Sequence, residues 1–205
     1  TLDSSGGDVL DQRLRHHKDR LLGWLVSSPI GGLRPWLLTL TGLVVGVGAA
    51  CLVAGQLYGW GLGLWLFNRL CDGLDGAVAR QQDRQSDLGG YLDMMADVLV
   101  YALIPCGLVW SQNQGWWSLA ALLASFYINL CSWTYLAAIL EKRQQHPSTL
   151  TTITMPGGLI EGTETMLFYC VFLLLPQYCP LLLAVMAILV LCTASQRVIW
   201  ACQHL

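Results

Sequence analysis

Six stretches of the chain, at about 36–56, 58–79, 90–110, 116–140, 158–176 and 179–200, are mostly apolar. Each is close to the ~20 residues that a helix needs to cross a bilayer. No other feature narrows the possible folds as much. With 55% of its residues hydrophobic and only 12% charged, the chain lies far from the composition of a soluble globular domain. The expectation is an all-α polytopic membrane bundle of six transmembrane helices over residues 35–205, forming one domain with no internal repeat.

The charges give this bundle a direction. The connections at 111–115 and 176–180 and the turn at 56–59 carry no charge, whereas all eleven Lys and Arg (13, 15, 18, 20, 34, 69, 80, 84, 142, 143 and 197) fall on the opposite side of a six-span arrangement. The positive-inside rule makes that side cytoplasmic, with both termini and the loops near 81–88 and 141–157. Ahead of the first span, Leu10, Leu14, His17, Leu21 and Leu25 recur at helical spacing among charged residues. Residues 9–34 are therefore predicted to form an amphipathic helix on the cytoplasmic interface, acting as a surface anchor or as the rim of a site. Residues 1–8 read as a linker or tail, and no cleavable signal peptide is expected before them. The net charge of −2 and the lack of a basic stripe argue against a nucleic-acid partner. Eight cysteines scattered through apolar runs without CxxC spacing read as small hydrophobes, not as a disulfide framework or zinc site. The four histidines show no ligand spacing, and the nine tryptophans suit interfacial belts.

Against this apolar background, the segment CDGLDGAVARQQDRQSDLGGYLDMMAD concentrates charge. A charged side chain at the centre of a membrane helix costs about 2.5–3.5 kcal/mol on insertion scales, so four aspartates there imply chemistry. Asp72, Asp75, Gly76 and Ala79 share one stripe of the second span, and Gly89, Asp93 and Asp97 share one stripe of the third. If the stripes face each other, four carboxylates converge, and like charges so close stay ionised only when cations neutralise them. Oxygen donors without imidazole or thiolate favour hard ions such as Mg2+, Mn2+ or Ca2+. Gly76, Ala79 and Gly89 let backbone approach a ligand or a neighbouring helix. Arg80, at the membrane surface, can pair its fork of donors with a phosphate. Asp83, Arg84 and Asp87 read as solvated loop charges. The residues by themselves describe a metal-assisted phosphoryl-transfer site that opens to the cytoplasm.

The eight positions Asp72, Asp75, Gly76, Ala79, Arg80, Gly89, Asp93 and Asp97 spell DxxDGxxAR, eight residues, then GxxxDxxxD. With each residue type near one in twenty, chance produces this on the order of 10^-10 times per starting position. The pattern resembles the signature of the CDP-alcohol phosphotransferases, and the chain resembles their prokaryotic CDP-diacylglycerol-using type. The resemblance implies a six-helix membrane enzyme, commonly a homodimer, of a bacterial-type inner membrane, which moves a phosphatidyl group from CDP-diacylglycerol to a small polar alcohol and releases CMP. It implies two Mg2+ or Mn2+ ions held by Asp72, Asp75 and Asp93. Asp97 would be the base that deprotonates the acceptor hydroxyl while also serving the metals. The cytidine end would lie against Asp72, Asp75, Gly76, Ala79, Arg80 and Gly89.

The acceptor alcohol is less sharply marked. The stretch ADVLVYALIP is similar to the phosphatidylserine synthases, whereas the first two spans look more like the inositol-phosphate-using branch. A phosphorylated acceptor, of the glycerol phosphate or inositol phosphate type, needs cations, and Lys142 and Arg143 at the end of the fourth span could supply them. The same pair also suits the positive-inside role. Serine would need a carboxylate for its ammonium, and Glu161 and Glu164 flank the fifth span, where they also suit the helix dipole. The expectation leans to the phosphorylated acceptor. A cation channel or ion-coupled transporter is the rival reading of buried carboxylates. The motif charges gather at one membrane face and the opposite loops are short and uncharged, which argues against it. An inactive scaffold is a third reading, and the intact signature argues against that.

Overall fold

The computed structural model describes residues 35–81, 86–145 and 162–205. Among these the secondary structure is entirely helical: α1 (Pro35–Ala54), α2 (Tyr58–Gln81), α3 (Asp87–Gln112), α4 (Trp116–Gln145), α5 (Gly162–Leu174), a 3-10 turn (Pro176–Tyr178) and α6 (Cys179–His204). These six helices coincide with the six apolar stretches. The interfacial helix expected at 9–34, the loop charges Asp83 and Arg84, and Glu161 lie outside the described residues. So does most of the 141–157 loop.

Among the described residues, four helices are long and apolar enough to cross a membrane: α1, α3, α4 and α6 with the turn before it. The described part of α5 is shorter, at 13 residues. In α2, Arg69, Asp72, Asp75 and Arg80 dilute the apolar run. Large apolar side chains such as Val44, Trp60, Trp110, Leu167 and Ile188 are exposed. In water such surface would be a liability. Against lipid it is the ordinary outer face of a bundle, and the chain is an integral membrane protein.

The chain divides into two compact units. Within the described residues, the first joins 35–49 with 63–81 and 86–101, and the second joins 50–62 with 102–145 and 162–205. Helices in lipid gain little from the hydrophobic effect and are held by close van der Waals packing and hydrogen bonds between helices. The first unit uses both. A Cβ at Gly46 of α1 would lie 2.5 Å from a methyl of Val100 in α3, so only glycine allows this approach. Asn68 of α2 donates to the carbonyl of Gly42 at 2.8 Å. Leu38, Leu74 and Val78 pack together, with Ala77 against them.

In the second unit, α4 packs along α6. The Arg197 guanidinium of α6 is buried and donates to Asn129 Oδ1 at 2.9 Å and Ser132 Oγ at 3.0 Å, both on α4. The turn between α1 and α2 closes with Leu57 N–H on the Leu52 carbonyl at 2.9 Å and Gln56 N–H on the Val53 carbonyl at 3.0 Å. This is the paired bonding of a helix C-terminus whose next residue is left-handed. Gln56 occupies that position with φ 65°, where glycine is usual. Its side-chain amide donates to the Ser111 carbonyl at 3.3 Å.

Candidate active site

Asp72 and Asp75 are three residues apart on α2 and share a face, as do Asp93 and Asp97 on α3. The structure brings three of the four together. One carboxylate oxygen each from Asp72, Asp75 and Asp93 lies within 4.8 Å of the others. Asp75 is buried, and Asp72 and Asp93 are half-buried. Asp75 Oδ2 accepts a hydrogen bond from the Thr39 hydroxyl of α1 at 2.8 Å.

Asp97, the fourth motif aspartate, pairs with Arg69 of α2. Its Oδ1 accepts from Arg69 Nη2 at 2.6 Å and its Oδ2 from Arg69 Nη1 at 3.2 Å, a two-pronged ion pair. The same guanidinium lies 3.6 Å from Asp72 Oδ2. Arg69 thus bridges Asp97 and Asp72, with Asp97 the closer partner.

Arg69 itself is tightly held. Its Nε donates to Asn68 Oδ1 at 2.9 Å and its Nη1 to the Tyr101 hydroxyl at 3.0 Å. The guanidinium carbon lies 4.8 Å from the ring centre of Trp65 and 4.9 Å from that of Tyr101. The two rings meet edge to face at 5.5 Å. Sequence reasoning gave none of Thr39, Trp65, Asn68, Arg69 and Tyr101 a role. The signal for some of them was available: Trp65, Arg69 and Asp72 follow helical spacing, and Tyr101 continues the four-residue spacing of Asp93 and Asp97.

The small residues divide by role. Gly76 and Ala79 are half-buried on α2. Gly89 has a local task at the start of α3, where its N–H donates to Ser86 Oγ at 3.1 Å. That is an N-cap, and a Cβ at position 89 would stand 3.0 Å from the capping oxygen. Arg80 lies within α2, with its side chain outside the described set. Lys142 and Arg143 are exposed in the last turn of α4. Arg143 donates to the carbonyls of His204 at 3.2 Å and Leu205 at 2.7 Å. Glu164 is exposed in the first turn of α5, where the helix dipole favours a carboxylate.

Three converging carboxylates with only oxygen donors fit a hard divalent cation and do not fit a soft one. The sequence profile described as CDP-alcohol phosphatidyltransferase matches residues 33–202. The inner membrane protein YnjF of Escherichia coli strain K12 is 39% identical over 155 residues, which is 72% of each chain. The phosphatidylinositol phosphate synthase of Mycobacteroides abscessus is 31% identical over 138 residues, 66% of this chain and 60% of that protein. Among solved structures, the Mycobacterium tuberculosis phosphatidylinositol phosphate synthase in complex with manganese and citrate aligns with a TM-score of 0.66 at 20% identity, over 88% of this chain and 87% of that one. The same enzyme with CDP-DAG bound aligns at 0.61 and 22% identity, over 88% and 91%. These structures share the fold. The chain belongs to the CDP-alcohol phosphatidyltransferase family, a family of transferases.

Proposed function

We propose that the protein transfers a phosphatidyl group from CDP-diacylglycerol to a small polar alcohol and releases CMP. The observation that carries this reading is the convergence of Asp72, Asp75 and Asp93 from two helices in a chain of this family. Asp72, Asp75 and Asp93 would hold Mg2+ or Mn2+, two ions in this reading. When bound, the metal supplies charge neutralisation on the pyrophosphate and on the departing CMP. Gly76, Ala79 and Gly89 leave room for the cytidine end beside Asp72 and Asp75, and Arg80 pairs with its phosphate. Asp97 accepts the proton of the acceptor hydroxyl. The hydroxyl oxygen then bonds to the phosphorus that carries diacylglycerol, and the bond from that phosphorus to CMP breaks.

The acceptor in this reading is a phosphorylated alcohol of the glycerol phosphate or inositol phosphate type. Support comes from Lys142 and Arg143, two cations consecutive in sequence, and from the phosphatidylinositol phosphate synthases among the relatives. The six helices would all span a bacterial-type inner membrane with the site and both termini on the cytoplasmic side. The segregation of Lys and Arg supports that topology. Family resemblance supports a homodimer.

The test is CMP release by purified protein in lipid nanodiscs with CDP-diacylglycerol, Mg2+ or Mn2+, and a panel of acceptors. Glycerol phosphate, inositol phosphate, inositol, glycerol and serine make up the panel. Release that requires metal and one acceptor is the expected result. No release with any member would overturn the reading.

A further inference from the structure

A buried amide is costly unless both of its ends are bonded, and Asn68 of α2 is 3% exposed. Its Nδ2 donates to the carbonyl of Gly42 on α1 at 2.8 Å, and its Oδ1 accepts from Arg69 Nε at 2.9 Å. A backbone carbonyl only accepts and a guanidinium only donates, so the two partners fix which way the amide points. Neither a carboxylate nor an apolar side chain of the same size could serve both. A Cβ at Gly46 would also come within 3.1 Å of this Nδ2, so α1 leaves room for the amide by being bare there.

From Asn68 the network runs into the site. The guanidinium of Arg69 is fixed at Nε by Asn68 and at Nη1 by the Tyr101 hydroxyl, with the rings of Trp65 and Tyr101 against it. Held in that plane, it grips both oxygens of Asp97 and lies 3.6 Å from Asp72 Oδ2. A carboxylate offers about four lone-pair positions, so an oxygen bonded to Arg69 can still serve a metal ion or take a proton. Bonds made behind a ligating carboxylate set its orientation. One carboxylate from α2 and one from α3 thus take their bearing from a single guanidinium, and the guanidinium takes its own from an amide anchored on α1. Among the described residues Asn68 has no hydrogen bond to any aspartate, so it acts through Arg69.

We propose that Asn68 is a positioning residue for the carboxylates of the metal site: it locks Arg69, which in turn aligns Asp97 with Asp72. This rests on the proposed transfer reaction for what the site is used for, while the locking itself is read from metal affinity without turnover.

The experiment measures Mn2+ affinity, CMP release and melting temperature in nanodiscs for wild type, Asn68→Leu, Asn68→Asp, Arg69→Lys and the double variant Asn68→Leu/Arg69→Lys. Leu183→Ala, which opens a cavity at a buried position of α6, shows what lost stability does by itself.

Charge and positioning predict opposite signs for Asn68→Asp. The added negative charge would tighten Mn2+ binding if only the field at the site mattered. With the amide as the lock, the new carboxylate competes for Arg69 and loses the bond to Gly42, so Mn2+ should bind at least a few-fold more weakly. Asn68→Leu should weaken it in the same sense. Arg69→Lys keeps the charge but loses the fork, and about 10-fold weaker binding is expected. The double variant should bind little worse than Arg69→Lys, because both changes break one chain of bonds. Leu183→Ala should melt lower with its Mn2+ affinity unchanged.

Asn68 variants that bind Mn2+ as wild type does, or more tightly, would overturn the proposal. So would losses that multiply in the double variant, or an equal loss of affinity in Leu183→Ala. The two Asn68 variants differ in charge, so either carries the test if the other does not fold, and unchanged affinity in Arg69→Lys overturns it without them. Wild type that binds Mn2+ but releases no CMP would count against the proposed reaction alone, whereas normal CMP release with unaltered affinities in the variants would count against the lock alone.

Discussion

The hydroxyl of Thr39 donates to Oδ2 of the buried Asp75 at 2.8 Å, so a side chain from α1 orients a carboxylate on α2. Partners of this kind set the orientation of a metal ligand, and losing one typically costs ~10-fold or more in metal affinity. Thr39→Val should therefore weaken Mn2+ binding by about that factor, and Asp75→Asn by more. Electron paramagnetic resonance of free Mn2+ reads both. Unchanged affinity in the two variants would remove Asp75 from the metal site.

Chelation should act on the wild type in the same sense. Excess EDTA is expected to abolish CMP release, and added Mn2+ or Mg2+ to restore it. Zn2+ should restore it less well, because the donors are all oxygen. Undiminished release in EDTA would sink the metal-dependent mechanism.

Asp97→Asn isolates the proposed base. Loss of a general base costs about 10^2–10^4-fold, so kcat should fall by at least ~100-fold while CDP-diacylglycerol binding survives. Isothermal titration with the lipid nucleotide separates the two quantities. A variant that turns over normally would leave the reaction without this base.

Topology can be checked with impermeant thiol reagents on single cysteines placed in a background depleted of the eight native ones. Cysteines at Gln112 and Gln177 should react only from outside, and those at Arg84 and Gln144 only from inside. A mixed pattern would rule out six spans with the site facing the cytoplasm.

The acceptor class should sort two charge-removing changes. With a phosphorylated acceptor, Arg143→Gln should raise the acceptor KM by about 10-fold, since a charge-assisted hydrogen bond is worth ~1.5–3 kcal/mol, and Glu164→Gln should matter little. Serine would reverse the order. Arg143 also holds the carbonyls of His204 and Leu205, so the melting temperature of Arg143→Gln is measured beside its kinetics. Acceptor kinetics unchanged in both variants would move alcohol recognition to other residues.

The helices were legible in the sequence because apolar stretches of about 20 residues mark candidate crossings, and four of the described helices have that length and character. Asp72, Asp75 and Asp93 were legible because helical spacing fixes which residues share a face. The ion pair of Asp97 was not, because it depends on which cation reaches it. Arg69 had been counted only as one of eleven positive charges, and its pairing needs α2 and α3 side by side. Thr39 was hidden for a related reason: it lies 36 residues from Asp75, and no local pattern links them.

Gly89 has a consequence for how chains of this kind are sorted. Its amide is capped by Ser86, and a Cβ there would stand 3.0 Å from the capping oxygen, so the start of α3 favours a glycine whether or not any reaction takes place. In a lineage that had lost its chemistry, selection on folding alone would favour Gly89 while placing no demand on the carboxylate of Asp93. A descendant with the glycine but without the aspartates would still look related in a similarity search, and the carboxylates are the positions that separate a working transferase from a retired one.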